Sequence, residues 1–445
     1  MLIDGTLLVP LQGWLETHFP SARLLVVGGS VRDALRGHPS KDLDLEIVGA
    51  TAQEVASLLP WPLQQVGKSY GVLLVQLEGL GWLEVSVDPG GFAEWEQLCR
   101  RRDFTCNAIA WDVHSQQLVD PLGGAQDIER GVLRSAGPTS VVDDPLRVWR
   151  AAQFCARFGW KVDAALRAAI AAALPALPAL PRERVTREWE KLLVMPARPS
   201  LALELLDQWG VIELCYPELF ALHGCPQDPQ FHPEGDVWVH TLMVVDEAAR
   251  LGGERLVLGL AALLHDLGKP ETTREENGRI SAHGHERAGL RPARQWFARH
   301  SFGEAIELAV LDCVAKHMRP MQLVREMEQG RMSPSQQVNA LRRLVKDLPN
   351  VQWSTFLTLC EADQRGRGLP VGEYEPARVF GEILREHPIL EMARADLLRG
   401  RDLLALGVPP GPLVGEWIGR VEKARDEGEV ATREEALAWL LRQLQ

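Results

Sequence analysis

Two neighbouring segments near the N-terminus carry residues that could bind a phosphate group and a divalent metal ion. In residues 26–33, VVGGSVRD, two glycines separate a predicted buried strand from a predicted helix. Glycine lets backbone N–H groups approach an anion closely at such a turn. Residues 41–46, KDLDLE, follow. Because side chains alternate along a strand, Asp42 and Asp44 share one face of the next predicted strand, an arrangement typical of a Mg²⁺ site for attack on a nucleoside triphosphate.

The order of these segments carries more weight than either segment alone. An isolated Asp-x-Asp on an amphipathic strand is most often a solvated face, and an isolated Gly-Gly is most often a turn. Here a strand, a glycine turn, a helix and an acidic strand follow one another between residues 24 and 47. The combined pattern favours a nucleotidyltransferase.

The same residues resemble the signature of the class II tRNA nucleotidyltransferase and bacterial poly(A) polymerase family, within the DNA polymerase β superfamily. Residues 101–108, RRDFTCNA, are similar to its ribose-binding motif, residues 143–147, DDPLR, to its base-recognition motif, and residues 183–188 to the helix behind that motif. The resemblance implies an α+β head with a polymerase β-like mixed sheet, followed by all-α domains. It also implies a nucleotide-binding set consisting of Gly28, Gly29, Ser30, Arg32, Arg102, Asp103, Asn107, Asp144, Arg147 and Arg150.

A third catalytic carboxylate is expected in residues 82–87, WLEVSV, where the family has one. Alternation places Glu84 on the polar side of this predicted strand, although Glu46 and Asp88 have the same parity on their strands and are alternatives. Asp42, Asp44 and Glu84 are therefore the expected catalytic residues, with Mg²⁺ bound by the two aspartates. Arg102 and Asp103 stand at the edge of a strand predicted over residues 104–111, where an ordinary ion pair is the alternative to ribose contact.

Asp144 and Arg147 could select the incoming base without a template. A carboxylate only accepts hydrogen bonds and a guanidinium only donates them, so the pair matches a base edge that has an amino donor beside a ring-nitrogen acceptor. Cytosine and adenine present that edge, whereas uracil and guanine present the reverse. The spacing of three residues places both side chains on one turn of a predicted helix. A surface salt bridge has the same spacing, and the preceding motifs favour base recognition over it.

A second group of possible metal ligands lies in the C-terminal half, on segments with helical periodicity. Imidazole and carboxylate groups spread over several helices suit one or two divalent metals that polarise a phosphate and activate water. Residues 225–370 resemble an HD phosphohydrolase domain, as found fused to some bacterial CCA-adding enzymes. The resemblance implies the ligands His240, His265, Asp266 and Asp363, with His285 and His317 extending them to a second metal. Any one of these histidines alone is better explained by packing, and Mn²⁺, Ni²⁺ and Mg²⁺ all remain open.

Length and composition set the frame for these sites. The 445 residues, of which 46% are hydrophobic, are enough for about three domains with cores of their own. The motifs divide the chain into a nucleotidyltransferase head at 1–140, a helical neck at 141–224, an HD domain at 225–370 and a helical tail at 371–445. Seven cysteines without a Cys-x-x-Cys pair predict buried thiols.

Charge and hydropathy bear on partners and location. A net charge of −12 counts against binding of nucleic-acid duplexes, although arginine clusters such as residues 100–102 leave room for a modest, salt-sensitive affinity for RNA. No apolar run of about 18 residues and no signal-peptide pattern occur, so we expect a cytoplasmic protein with tRNA as partner and no membrane partner. The sequence does not predict the oligomeric state.

One departure from the family pattern bears on the product. Only residues 85–100 separate Glu84 from the ribose-binding motif, whereas CCA-adding relatives carry a much longer flexible loop after the strand. In the family that loop lets the pocket change from CTP to ATP, and its loss goes with enzymes that add only the two cytidines. The expected activity is therefore Mg²⁺-dependent CC addition from CTP to the 3′ end of tRNA. Full CCA addition from CTP and ATP, and poly(A) polymerase activity, remain alternatives.

Overall fold

The computed structural model describes residues 8–38, 43–65, 71–370, 372–387, 389–392, 397–426, 429–430 and 432–444. The chain divides into two compact units. The first unit takes in residues 1–188 and 201–215, and the second takes in residues 189–200 and 216–445. The predicted α+β head followed by helical regions is confirmed. The division into four domains stays a prediction.

A mixed sheet forms the centre of the first unit. Its strands are β1 Arg23–Val27, β2 Asp44–Val48, β3 Leu63–Gln65, β4 Val72–Leu77, β5 Gly81–Asp88, β6 Ala110–Asp112 and β7 Gln117–Val119. Within the described residues the strand order is β3-β4-β5-β2-β1-β6-β7; β2 and β5 run parallel, and the other neighbouring pairs are antiparallel. The helices around the sheet are α1 Val9–His18, α2 Gly29–Leu35, α3 Ala52–Leu58, α4 Trp95–Cys99 and α5 Gly124–Arg130.

Alternation along β2 and β5 separates an apolar face from a polar one, as predicted. Leu45, Leu83 and Val85 are at most 5% exposed and belong to the main core under the sheet. Asp44 and Glu84 point to the other side and are exposed. A slip of one residue in either strand would move the leucines into water and the carboxylates into the core, so burial of the apolar side chains fixes the register.

Residues 104–111 do not form one strand, contrary to the prediction. Residues Thr105–Asn107 form a 3-10 turn, and β6 begins only at Ala110. In this turn the buried Thr105 hydroxyl donates a hydrogen bond to Asp127, and Asn107 donates one to Asp103. Buried polar groups require such partners, and this requirement outweighs the preference of the neighbouring apolar residues for a strand.

Helices dominate after residue 139, as the helical periodicity predicted. They are α6 Ser140–Asp143, α7 Arg147–Phe158, α8 Ala164–Ala173, α9 Arg182–Val194, α10 Ser200–Gln208 and α11 Val211–Cys215, with a short parallel pair of β8 Val132–Leu133 and β9 Lys161–Val162. Helix α7 ends at Gly159, whose φ of +72° is a left-handed conformation that favours glycine. Asp163 then accepts a hydrogen bond from Leu166 N and caps the start of α8.

The second unit is mainly helical. Its first helices are α12 Pro217–Phe220, α13 Val237–Leu251, α14 Arg255–Leu264, α15 Lys269–Thr272, α16 His285–Ala288, α17 Leu290–Ala298, α18 Glu304–Lys316 and α19 Arg319–Glu328. The remaining ones are α20 Pro334–Lys346, α21 Trp353–Arg365, α22 Glu375–Glu386, α23 Ile389–Met392, α24 Gly400–Ala405, α25 Pro412–Asp426 and α26 Arg433–Leu444. A hairpin of β10 Arg274–Glu276 and β11 Arg279–Ser281 lies between α15 and α16.

Helix α14 lies at the centre of this unit. All its residues from Val257 to Leu264 are buried, and a helix that is apolar on every side has to be surrounded by others. It packs against α13, α18 and α21, while the helices α24 to α26 bury a smaller core of their own. The helix ends at Leu264, and His265 is its capping residue.

Two further expectations concern the chain as a whole. No helix among the described residues has the length and apolar character needed to cross a membrane. Six of the seven cysteines are buried, as predicted, and Cys215 is half-buried. Burial raises the pKa of the Cys99 and Cys155 thiols to about 12 in both cases.

His300, just after α17, is buried in an aromatic cluster of the second unit. Its ring centroid lies 3.9 Å from that of Trp296 and 5.7 Å from that of Tyr216, on which it stacks. Its Nδ1–H donates a hydrogen bond of 2.8 Å to the Trp296 carbonyl. Burial lowers the pKa of His300 to about 4, although the carbonyl bond opposes that shift.

We expect His300 to make the chain less stable as the pH falls from about 6.5 to 4, because over that range the unfolded chain binds a proton that the folded chain excludes. At pH 4 this effect lowers the free energy of unfolding by on the order of 3 kcal/mol. His300→Phe should therefore flatten the pH dependence of the melting temperature, measured by calorimetry between pH 4.5 and 7.5. The same change at the exposed His387 should leave the wild-type slope, and an unchanged slope in His300→Phe would contradict the assignment.

Candidate active sites

The predicted phosphate-binding turn lies directly beside Asp44. Gly28 has a φ of +66°, and α2 begins at the next residue, Gly29. A Cβ added at Gly29 would lie 3.9 Å from Asp44 Oδ2, and Ser30 Oγ accepts a hydrogen bond of 3.2 Å from Asp44 N. The structure therefore brings the glycine turn next to the Asp44 carboxylate, with the Arg32 guanidinium 3.5 Å from the same Cβ position.

The acidic face of the sheet contains several carboxylates with different surroundings. Asp44 pairs with Glu84 across the parallel β2 and β5, so the two side chains are neighbours on one face. Glu46 instead accepts hydrogen bonds from Trp95 Nε1 at 3.1 Å and Arg102 Nη2 at 2.8 Å, and Asp88 accepts one from Gly90 N at 2.7 Å. These bonds give Glu46 and Asp88 structural tasks. Of the alternatives for a third carboxylate, Glu84 is the exposed one that lies next to Asp44.

Asp42, the first residue of the predicted pair, lies outside the described residues. The described part of this site thus consists of Asp44, Glu84 and the turn at residues 28–30. Oxygen ligands from two adjacent strands are the type that Mg²⁺ prefers.

A chain of buried polar side chains connects the glycine turn to α7. Arg32 Nη1 donates a hydrogen bond of 2.7 Å to Asn107 Oδ1, and Asn107 Nδ2 donates one of 3.0 Å to Asp103 Oδ1. Arg150 Nε donates another, also of 3.0 Å, to Asp103 Oδ2. The other end of the Arg32 guanidinium donates two hydrogen bonds of 2.9 Å to Asp33. We call Asp33, Arg32, Asn107, Asp103 and Arg150 the polar chain.

Electrostatics keep Asp103, in the middle of the polar chain, ionised. Burial opposes the charged form of Asp103, but the Arg150 guanidinium and the hydrogen bonds from Arg150 and Asn107 outweigh it and hold the Asp103 pKa below its ordinary value. Arg102 and Asp103 do not pair with each other: Arg102 pairs with Glu46 at 2.8 Å, and Asp103 pairs with Arg150. Arg102 and Asp103 of the ribose-binding motif are thus each held in an ion pair with a residue distant in sequence.

Asp144 and Arg147 lie close together but not on one helical turn, contrary to the prediction. Asp144 ends the short α6 with φ −136° and ψ 89°, and α7 begins at Arg147. Pro145 accounts for the break, because the residue before a proline is excluded from helical conformation by its ring. Arg147 Nη1 and Nη2 donate to the carbonyls of Arg102 and Arg101 at 2.9 and 2.7 Å.

These carbonyl bonds hold the Arg147 guanidinium with its Nε 4.0 Å from Asp144 Oδ2. Asp144 Oδ2 also accepts a hydrogen bond of 2.8 Å from Arg184 Nη2, on the helix α9 behind it. Asp144 and Arg147 therefore form the loose ion pair that was the alternative, and Arg184 is a partner of Asp144 that sequence spacing did not indicate. The base-recognition role stays a prediction.

In the second unit, the structure gathers the predicted HD residues around Asp266. His240 comes from α13, His265 and Asp266 follow α14, and Asp363 comes from α21. Asp266 Oδ2 lies 3.1 Å from His265 Nε2 and 3.7 Å from His240 Nε2, which in turn lies 3.1 Å from Asp363 Oδ1. These four residues form one cluster, as predicted.

The other oxygen of Asp266 faces the two remaining histidines. Asp266 Oδ1 lies 3.3 Å from His285 Nε2, at the start of α16, and 3.9 Å from His317 Nε2, at the end of α18. The two histidine nitrogens are 3.1 Å apart. Asp266 therefore stands between two groups of imidazoles, a position from which one carboxylate can bridge two metal ions.

The hydrogen bonds behind the histidines decide which nitrogen faces Asp266. His265, His285 and His317 each direct Nδ1 at a backbone carbonyl three residues earlier, at 2.7 to 2.9 Å. A carbonyl only accepts, so Nδ1 carries the proton, and in the neutral imidazole Nε2 then offers its lone pair. Lone pairs directed at a buried carboxylate fit a divalent cation between them.

Further observations agree with a metal centre. The ligand atoms of His240, His265 and Asp266 lie within 4.8 Å of one another, and so do those of Asp266, His285 and His317. Both oxygens of Asp266 are buried; the Lys269 ammonium lies 2.6 Å from Oδ2, and the other near groups on the described residues are imidazole nitrogens. Burial would raise the Asp266 pKa, but His265 and Lys269 outweigh it and hold that pKa well below its usual range. The residues present thus fit one or two divalent metals.

Sequence reasoning missed Glu234, which lies directly behind His240. Its Oε1 is 2.8 Å from His240 Nδ1 and 2.9 Å from His232 Nδ1. Burial opposes ionisation, but the bonds from the two histidines lower the Glu234 pKa to about 2. A possible signal was the segment His232-Pro233-Glu234 immediately before Asp236, which caps α13.

A cavity of about 310 Å³ opens onto this centre. Asp266, His285, His317 and Asp363 line its floor, and the basic side chains that line its walls are Lys269, Arg325 and Arg367. The cavity is large enough for a small phosphate ester and has positive charge where a phosphate would meet the metal ligands.

We expect Glu234→Gln to weaken Mn²⁺ or Ni²⁺ binding about 10- to 100-fold, because the amide no longer fixes the His240 ring as a carboxylate does. Isothermal titration of the metal-free protein measures this affinity directly. Glu247→Gln, on the helix α13 that carries His240 but bonded to Arg250, is the matched control and should bind as the wild type does. An affinity of Glu234→Gln equal to that of the control would refute the positioning role.

Comparison with known proteins places both units in one family. Family models match residues 86–134 as "Poly A polymerase head domain", residues 159–222 as "Probable RNA and SrmB- binding site of polymerase A" and residues 237–347 as "HD domain". Among solved structures, the Bacillus stearothermophilus CCA-adding enzyme in complex with CTP has a TM-score of 0.67 at 23% identity, covering 99% of this chain and 97% of that one. The Thermotoga maritima CCA-adding enzyme complexed with tRNA has a TM-score of 0.60 at 19% identity, covering 100% and 97%. These two share the fold.

Sequence relatives are more similar. The multifunctional CCA protein of Xanthomonas campestris pv. campestris is 36% identical over 414 residues, covering 88% of this chain and 95% of the relative. That of Stenotrophomonas maltophilia is 36% identical over 429 residues, covering 92% and 100%. The chain therefore belongs to the multifunctional CCA protein family and is a tRNA nucleotidyltransferase with an HD domain, the family that its motifs indicated.

Proposed function

We propose that this chain adds cytidines to the 3′ end of tRNA from CTP, with Mg²⁺ held by Asp42, Asp44 and Glu84. The observation that carries the proposal is the exposed pair of Asp44 and Glu84, opposite each other beside the glycine turn. Asp42 is included for its place two residues before Asp44. When bound, Mg²⁺ lowers the pKa of the RNA 3′-hydroxyl and stabilises charge on the departing pyrophosphate.

The chain's own residues position the nucleotide. The backbone at Gly28 and Gly29 accommodates the triphosphate, and Ser30 keeps the turn at a fixed distance from Asp44 through its bond to Asp44 N. Arg32 contributes positive charge beside the turn while the polar chain holds its guanidinium in place. Such positioning accounts for much of catalysis in nucleotidyl transfer.

Ribose and base contacts follow from the other end of the polar chain. Arg102 and Asn107 lie next to the turn, since a Cβ at Gly28 would be 3.6 Å from Arg102 Nη1 and 3.9 Å from the Asn107 carbonyl. Asp103 is buried and bonded to Asn107 and Arg150, so we assign it the task of holding these two side chains. Asp144 and Arg147 then select the amino edge of cytosine.

The short connection after β5 favours CC addition. Strand β5 ends at Asp88, residues Phe92–Glu94 form a 3-10 turn, and α4 begins at Trp95. This connection leaves no place for the long flexible loop that the family resemblance links to the change from CTP to ATP. Full CCA addition is the second candidate, because the relatives are named multifunctional CCA proteins and CCA-adding enzymes with this fold bind ATP as well as CTP.

We expect the purified chain, given CTP, ATP and a tRNA transcript that lacks its 3′-terminal CCA, to yield products ending in CC. Sequencing of the product ends measures this outcome. A terminal adenosine added by this chain alone would establish full CCA addition in place of the CC-only proposal. Homopolymeric adenosine tails on unstructured RNA would indicate a poly(A) polymerase.

Asp44→Asn should reduce cytidine incorporation by on the order of 10³-fold or more, because an amide is a poor Mg²⁺ ligand in a site whose chemistry depends on the cation. Asp42→Ala should have the same effect. Circular dichroism of each variant checks that the chain has folded. Glu96→Gln, at an exposed residue of α4, is the control, and incorporation by Asp44→Asn at the control rate would contradict the assignment.

We further propose that the HD centre is a metal-dependent phosphohydrolase. Its supports are the clustered Nε2 atoms around Asp266 and the cavity above them. A bound metal would activate water for attack on a phosphate ester, while the chain's basic side chains hold the phosphate. The metal that serves here is one of Mn²⁺, Ni²⁺ and Mg²⁺.

We expect the wild type to release phosphate from 2′-nucleotides or to open 2′,3′-cyclic nucleotides with at least one of these metals. Asp266→Asn should lose this activity and keep cytidine incorporation, because its site belongs to the second unit. Phosphate release and ring opening can be followed by chromatography across the three metals. Equal hydrolysis by the wild type and Asp266→Asn would rule out the HD centre as the source.

We propose tRNA as the macromolecular substrate, no membrane partner and a cytoplasmic location. We also propose that the chain has four domains, with boundaries after residues 140, 224 and 370. A modest, salt-sensitive RNA affinity fits a chain of net charge −12.

A further inference from the structure

The cavity above the HD centre contains a glutamine whose orientation is fixed by its neighbours. Gln227 is only 5% exposed and lines the cavity wall. Its Oε1 accepts a hydrogen bond of 2.6 Å from Lys269 Nζ. An ammonium group only donates, so the carboxamide cannot be turned the other way, and Nε2 is the atom that faces away from Lys269.

The Gln227 Nε2 has no acceptor among the described residues, although it is buried. Two backbone interactions hold this segment in place. Gln227 N donates a hydrogen bond of 3.0 Å to the Gly235 carbonyl, and Pro226 forms an antiparallel β-bridge with Asp236. A buried donor without an acceptor destabilises the fold, so a structure that keeps one in place beside a cavity is suited to a ligand that supplies the acceptor.

Arg367 presents a second donor of this kind on the same cavity. Its Nε is buried without a hydrogen-bond partner in the described part of the chain, and its Nη2 lies 3.7 Å from Asp363 Oδ2. Asp228, an acidic residue on the wall, accepts a hydrogen bond of 3.0 Å from Gln230 N within its own turn. The donors that lack partners are thus a carboxamide and a guanidinium, both near the metal ligands.

We propose that Gln227, together with Arg367, forms a subsite for a non-bridging oxygen of a phosphoryl group in the HD cavity. This inference rests on the proposed phosphohydrolase function and assigns the residues that would hold its substrate. We assign Gln227 to the phosphoryl group, and not to the base or sugar, because of its position. Lys269 Nζ lies 2.6 Å from both Gln227 Oε1 and the metal ligand Asp266 Oδ2. The carboxamide is therefore one side chain away from the metal ligands, where the reacting phosphorus would lie.

A base or sugar would lie farther from the metal ligands. Phe231, 51% exposed, is on the cavity lining and offers an apolar face for such a group. Gln227 and Arg367 together supply N–H donors and positive charge, which suit an anionic oxygen better than the mixed donors and acceptors of a base.

Binding of inorganic phosphate tests the subsite. Isothermal titration at saturating Mn²⁺ compares the wild type with Gln227→Glu, which keeps an oxygen for Lys269 and replaces the donor with a second carboxylate oxygen. We expect its dissociation constant for phosphate to rise about 10-fold or more, the effect of losing one hydrogen bond to a charged oxygen. Gln227→Leu, which removes the donor without adding charge, should weaken binding in the same direction.

The matched control is Gln322→Glu, which adds the same charge at an exposed residue of α19 that lines the same cavity. It should change phosphate affinity by less than about 3-fold. If Gln227→Glu and Gln322→Glu weaken binding equally, or if Gln227→Leu binds phosphate as the wild type does, Gln227 only contacts water and the subsite is refuted. Isothermal titration of Mn²⁺ and a melting curve for each variant confirm that the second unit, which carries both substitutions, has folded.

The outcome also separates this inference from the proposed function. A wild type that binds phosphate through Gln227 but hydrolyses no nucleotide would leave the subsite intact and remove the phosphohydrolase. A wild type that hydrolyses nucleotides while both Gln227 variants bind phosphate normally would leave the phosphohydrolase and remove the subsite.

Discussion

The parallel pairing of β2 with β5 is the constraint on which the nucleotidyltransferase site depends. Its register sets Asp44 opposite Glu84, and the apolar side chains on the reverse face hold that register because a one-residue slip of either strand would bury that strand's carboxylate. The core of the head thus determines the distance between two like charges before a nucleotide or metal arrives. Sites built on paired strands in this way are more rigid than sites built on loops, and rigidity keeps the reacting groups in position.

Local patterns in the sequence predicted much of the head. Alternation identified Glu84 as polar and Leu83 and Val85 as buried, and the glycines at 28 and 29 marked the turn. The predictions of two elements near the polar chain were wrong, each for a local physical reason. The turn at Thr105–Asn107 exists because its side chains need buried partners, which alternation does not register. The break between Asp144 and Arg147 follows from Pro145, and the sequence contained that information.

The partners of charged residues were harder to predict because they come from distant parts of the chain. Arg102 pairs with Glu46 and Asp103 with Arg150, across 56 and 47 residues. In the second unit, the family resemblance supplied the HD ligands, and the fold brings them together from five segments. Glu234 and Gln227 had no such pattern behind them. Their positions beside His240 and Lys269 arise only when the segment before α13 folds against the helices that carry the ligands.

The polar chain has one further consequence. Its charges alternate in sign from Asp33 through Arg32 and Asp103 to Arg150, and Asn107 bridges the middle by accepting with Oδ1 and donating with Nδ2. Aspartate at 107 could not donate, and a longer or apolar residue could not bridge, so this asparagine admits no conservative replacement. The polar chain thereby connects the turn that would hold the phosphates to the helix that would read the base through side chains of alternating charge. Evolution of a different nucleotide preference therefore has to proceed through residues outside this sequence of charges.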